Sequence, residues 1–252
     1  MAQIYMFTGN PEPFRDYRLV STREFFATFG PTEAAGYLNT VRDRIRTEPP
    51  SDVAFFSAIR HIFCELDGAG KLYCGNRSKG ETSQGLIAFG VRFLGRVNPA
   101  YRALWGLLVD LYRHSLTHTG IPRLVSIRVP GRGDVLLGWS ISGNDDGSQH
   151  LSLTRNGQFA RLQFSVTRFR ADAVTAVELY RDELLRRGRA STLFTRFRCG
   201  YRGMASVFQS PPTAPTKAPT RGRRRRGRPA PLVLSRNAIP GIRALARQLG
   251  VR

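Results

Sequence analysis

The sequence predicts an α+β protein: a helical N-terminal half packed with a small, mainly antiparallel sheet, followed by a disordered, basic C-terminal tail. Three observations carry this. Apolar residues recur at helical spacing in the first half of the chain. They alternate at strand spacing in the second. At Gln209 the composition shifts abruptly to Pro, Ser, Thr, Ala and Arg. The shift divides the chain into a folded domain, 1–209, and a Pro/Arg-rich tail, 210–252, ending in a short amphipathic helix with Ile242, Leu245 and Leu249 on one side.

The first 30 residues are aromatic-rich, with Phe25, Phe26 and Phe29 close together. A helix is expected from about Thr32 to Arg46, where Ala34, Tyr37, Leu38, Val41 and Ile45 share a face and Pro49-Pro50 stops the element. Ser51 suits the cap of a second helix carrying Phe55, Phe56, Ile59, Ile62 and Phe63. Residues 67–85 are rich in Gly, Ser and Asn and read as a loop, with a short strand at Leu72-Tyr73-Cys74. The clearest helix starts at Asn98-Pro99, a capping residue followed by one whose missing N–H costs nothing in a first turn. Its buried stripe is Leu104, Leu107, Leu108 and Leu111. Alternation then predicts strands at Val125–Val129, Val135–Ile141, His150–Leu153 and Leu162–Val166. A last helix, about Asp172 to Arg187, buries Val174, Val177, Tyr180 and Leu184 and closes at Gly188.

The chain has 252 residues, is 41% hydrophobic and carries a net charge of +21. No apolar run approaches the roughly 18 residues a membrane span needs. The N-terminus has neither the basic flank nor the apolar core of a signal peptide. Cys64, Cys74 and Cys199 lack metal-site spacing and read as reduced thiols of an intracellular protein, the first two in the core. All but three of the 39 cations are arginine, a bias that also fits a gene overlapping another reading frame.

Signatures of catalysis are thin, so the chain reads as a binding protein without cofactor or metal. His114 and His118 stand four apart, but no glutamate follows the first, and a surface pair at a helix end explains them. Asp145-Asp146 lies between Asn144 and Gly147 and reads as a turn. The tail has clearer physics. From Pro211 to Arg252 there are 11 Lys and Arg and no acid. Arg221, Arg223, Arg224, Arg225, Arg226 and Arg228 could fork onto phosphates or form a nuclear import signal. If about 6 met duplex phosphates, log K would fall against log salt with a slope of about −5.

The sharpest local feature is Ile121-Pro122-Arg123-Leu124-Val125. Proline suits a helix's first turn, and residues 121 and 125 would then share a face. Two such aliphatic anchors are worth roughly 1.5–3 kcal/mol each when buried in a partner's groove. The alternation of Val125, Ile127 and Val129 supports the other reading, a strand entering the core.

The order of motifs resembles the silencing suppressors encoded by the 5′-most open reading frame of poleroviruses. The similarity covers about residues 98–190. It comprises Tyr101-Arg102 in the leucine-rich helix, then the minimal F-box pattern L/I-P-x-x-L/I at 121–125. Leu136-Leu137-Gly138-Trp139 follows, then a strand at Leu162–Val166 and the helix containing Leu179-Tyr180-Arg181 and Leu184-Leu185-Arg186. Departures are Val125 in place of Leu or Ile, and a glycine before Trp139 rather than after it.

The resemblance implies an adaptor. The F-box-like segment would bind the host Skp adaptor of the SCF ubiquitin ligase through Ile121, Pro122 and Val125. Another surface would engage host Argonaute, marking it for degradation. Leu124 would point into the core, and Trp139 would be structural. The setting implied is the host cytoplasm, with the nucleus added if the arginine run acts in import. The alternative is a basic nucleic-acid-binding protein working through the tail.

Overall fold

A computed structural model of the chain describes residues 22–47, 55–75, 83–114, 124–129, 133–143, 147–156, 159–205 and 234–249. The helices among them are α1 (Thr22–Thr28), α2 (Pro31–Thr47), α3 (Phe55–Cys74), α4 (Gln84–Phe89), α5 (Gly95–Val97), α6 (Ala100–Leu108), α7 (Val166–Arg187), α8 (Thr192–Ala205) and α9 (Ile239–Gln248). Two π-helical segments, Gly90–Leu94 and Val109–His114, extend α4 and α6. The strands are β1 (Val125–Val129), β2 (Gly133–Ser142), β3 (Leu153–Asn156) and β4 (Phe159–Ser165). They form one sheet in the order β1-β2-β4-β3. Its central pair β2–β4 is parallel, and both outer pairs are antiparallel. The fold is therefore α+β with a mainly antiparallel sheet.

Several expected elements form where the periodicity put them. In α2, Ala34, Leu38, Val41 and Ile45 are all buried, and the Gly30 N–H donates to the Glu33 carboxylate at 2.8 Å to finish the N-terminus. The Asn98 side chain accepts from the Ala100 N–H at 3.0 Å, so Asn98-Pro99 does open α6. Ser165 begins α7 by accepting from the Arg168 N–H. Val166, expected as the end of a strand, is the first residue of that helix.

Other expectations are corrected. Leu72-Tyr73-Cys74 is the last turn of α3, not a strand, and residues 67–75 are not a loop. Gly70 serves helix packing. A Cβ on Gly70 would lie 2.6 Å from the Gly85 backbone, so α3 and α4 touch main chain to main chain. Residues 148–151 are a turn, and the strand starts only at Leu153. Cys64 is exposed on α3 rather than a core thiol, and Cys74 is half-buried.

The core is aromatic. Trp105 is fully buried, stacks on Phe63 at 5.2 Å and donates its Nε1–H to the Leu86 carbonyl at 2.9 Å. The Gly90 hydrogen lies against the indole, where a Cβ would sit 2.0 Å from Nε1. Phe25 and Phe29 pack on Tyr201 and Phe197, so the N-terminal aromatics close onto α8. Tyr112 joins helices to sheet through Phe164 and Trp139.

A buried polar chain makes the same junction. The Ser165 N–H donates to Nδ1 of His150 at 3.0 Å, and Nε2 of His150 meets the Tyr101 hydroxyl at 2.7 Å. With Nδ1 accepting, the neutral ring carries its proton on Nε2 and donates it to Tyr101. Burial and the neighbouring Asp172 carboxylate raise the Tyr101 pKa. Tyr101→Phe leaves the Nε2–H without its acceptor. It is expected to lower unfolding free energy by about 1–3 kcal/mol in urea denaturation, with the fold unchanged.

Candidate functional site

Strand β1 is an edge of the sheet, and it begins where the 121–125 segment ends. Ile121 and Pro122 lie outside the described residues. Leu124 and Val125 are described, and they reverse the expectation. Val125 is 7% exposed and pairs with Leu137 of β2, while Leu124 is 60% exposed. The cause is the two-residue period of a strand. Val125 and Ile127 share the face turned to the helices, so Leu124 and Ser126 must share the other. Val125 is thus a core residue rather than an accessible anchor, and Leu124 is the solvent-facing aliphatic of the segment.

Local geometry positions Leu124. It faces Gly138 of β2, where an added Cβ would stand 3.4 Å from Leu124 Cδ2. The leucine lies over the space that the missing side chain leaves. The same outer face carries the half-buried Leu136, the exposed Arg161 and Phe159, which is 58% exposed. The inner face, with Val135, Leu137, Ala160, Leu162 and Phe164, is buried. Alternation of Val125, Ile127 and Val129 already contains the signal for Leu124, because inward odd positions require outward even ones.

The support beneath β1 includes the C-terminal segment. Helix α9 packs on α6 and touches β1. Gly106 of α6 abuts the Asn237 carbonyl, where a Cβ would lie 1.9 Å from the oxygen, and Gly241 of α9 abuts Leu107. The Asp110 carboxylate accepts from the Ser235 N–H at 2.7 Å. Ala238, Leu245 and Leu249 are buried. The amphipathic helix expected at the chain end therefore belongs to the folded body. Arg221, Arg223, Arg224, Arg225, Arg226 and Arg228 lie outside the described residues, between α8 and α9, both packed in the domain.

Trp139 is partly buried, with its ring 5.6 Å from Tyr112, and acts as a packing residue. His114 belongs to the second π-helical segment, and His118 and Asp145-Asp146 lie outside the described residues. Among the described residues no group of three or more His, Cys, Asp or Glu could hold a metal ion, and no helix is long and apolar enough to cross a membrane. Comparison with family models, with curated proteins and with solved structures finds no match to this chain.

Proposed function

We propose that this chain is a non-enzymatic adaptor, a viral suppressor of RNA silencing that brings the host SCF ubiquitin ligase to Argonaute. The observation that carries the reading is Leu124. A large aliphatic side chain, 60% exposed, stands directly after Ile121-Pro122-Arg123 at the mouth of an edge strand. Leu124 shares the outer sheet face with Phe159, 58% exposed, and apolar side chains grouped on one face offer a partner an anchor. The docking set is accordingly Ile121, Pro122 and Leu124, with Val125 holding the segment to the sheet.

A silencing-reporter assay in plant tissue tests the suppressor activity. Pro122→Ala and Leu124→Asp are expected to restore silencing to the level without suppressor, with protein abundance unchanged. The competing reading, nucleic-acid contact through the arginine run, predicts the opposite ranking. There, replacing the six arginines at 221, 223–226 and 228 by glutamine restores silencing, and Leu124→Asp does not. Truncation at residue 210 is the wrong probe for that comparison, because it also removes α9 from α6.

A further inference from the structure

We propose that the folded domain has its own RNA-binding groove, on the first π-helical segment, independent of both the 121–125 segment and the arginine run. The groove is open, about 650 Å3, and lined by Tyr73, Ala88, Val91, Arg92, Arg96 and Arg102. Arg92 and Arg96 are four apart, and Arg187 approaches from α7. All three converge on Glu183, at 2.6, 3.3 and 2.8 Å. Burial alone would raise the Glu183 pKa, but the Arg92 hydrogen bond and the charges of Arg92, Arg187 and Arg96 outweigh it and hold the carboxyl below its usual range.

The carboxylate is nearly inaccessible, with its side chain 6% exposed, whereas the three guanidinium side chains are 42–47% exposed. Glu183 therefore works as a clamp. It occupies one edge of each fork and leaves the others directed outward. Arg102 adds a fourth cation, fixed by its Nε–H to the Gly95 carbonyl at 3.0 Å. Gly95 makes this possible, since a Cβ there would lie 2.6 Å from Arg102 Cγ. Three arginines share one carboxylate and Arg102 pairs with a neutral carbonyl, so the four cations face a single acid and the groove holds an excess of positive charge already oriented for anions.

The remaining lining favours a single-stranded nucleic acid, with RNA as the occupant proposed, over other polyanions. Val91 is 40% exposed, and the Tyr73 ring, half-buried, is held edge-on by Phe93 at 5.5 Å. An aromatic ring and an apolar side chain among guanidinium groups suit an unpaired base beside its phosphates. A phosphorylated peptide would use the arginines but leave this apolar surface idle. The π-helical turn gives the array its shape, with Trp105 packed against Gly90 beneath it, and such turns recur at functional sites.

The test uses the full chain with the six run arginines replaced by glutamine, so that the run cannot mask the groove. Fluorescence anisotropy with a labelled 20-nucleotide single-stranded RNA is compared before and after adding Arg96→Gln and Arg102→Gln. The expected result is binding that weakens at least about tenfold, with the slope of log K against log salt smaller by about 1.4, two phosphates' worth. A second measurement needs no substitution: photocrosslinking of 4-thiouridine RNA to the natural chain is expected to mark Tyr73 or the 91–96 peptide. Unchanged affinity and slope, crosslinks confined to the arginine run, or binding of a phosphopeptide in place of RNA would each overturn the proposal.

Discussion

Trp105→Ala is expected to remove most of the stability of the domain. The indole is fully buried between Phe63, Tyr101 and Phe169, and its N–H is the partner of the Leu86 carbonyl. Truncating a buried tryptophan costs about 3–5 kcal/mol through lost transfer energy and the cavity left behind. Loss of the indole hydrogen bond to the Leu86 carbonyl, which keeps the Gly90 N–H, adds about 1 kcal/mol. Domains of this kind have only about 5–15 kcal/mol in total. Urea denaturation followed by circular dichroism should show the midpoint collapse. Trp105→Phe separates the two contributions, because it keeps most of the ring packing and loses only the hydrogen bond. A midpoint within a few tenths molar of the parent for Trp105→Ala would mean that Trp105 does not organise the core.

Gly106→Val is expected to detach α9 while leaving the rest folded. The new Cβ would stand 1.9 Å from a main-chain oxygen, that of Asn237, and no rotamer relieves it because the Cβ position is fixed by the backbone. Detachment exposes Leu245, Leu249 and Ala238. The two leucines are worth roughly 1.5–3 kcal/mol each, offset in part by the recovered chain entropy. Hydrogen exchange should show protection of 239–248 falling by about a hundredfold, while protection in α3 and α7 persists. Unchanged protection in 239–248 would show that the segment is not held by this crossing.

How much was legible in the sequence follows from where the information lies. The stripe Ala34–Ile45 and the leucines of α6 declare their helices because each buries one face at a spacing local sequence records. The alternation of Val125 and Ile127 declares β1 for the same reason. Glycines were misleading at Gly70 and Gly85, because a close helix crossing and a loop draw on the same residue for different reasons. Helix α8 also carries a stripe at helical spacing, Leu193, Phe194, Phe197 and Tyr201, all buried, and Gly200 beside it packs on the Lys71–Leu72 backbone. The docking of α9 was invisible since Gly106 and Gly241 acquire meaning only once the two helices meet. Arg92 and Arg96 reach Glu183 across about ninety residues of chain, a distance over which spacing carries no information, and only the Glu183–Arg187 pair, four apart on α7, is local. At the candidate docking segment, the motif was legible but its anchor was misassigned. The helical reading put Val125 outside, whereas the strand period puts Leu124 there.

The proposed docking segment for a ubiquitin-ligase adaptor is Ile121-Pro122-Arg123-Leu124. The most direct test is calorimetric titration of the purified full chain with the Skp adaptor, for the natural sequence, Pro122→Ala, Leu124→Asp, and Leu185→Ser as a control on α7, where that side chain is 41% exposed. Saturable binding of the natural chain and the control is expected, weakened at least about tenfold by Pro122→Ala and Leu124→Asp. Adaptor binding that is indifferent to Leu124→Asp, or a natural chain that does not bind the adaptor at all, would contradict the proposal.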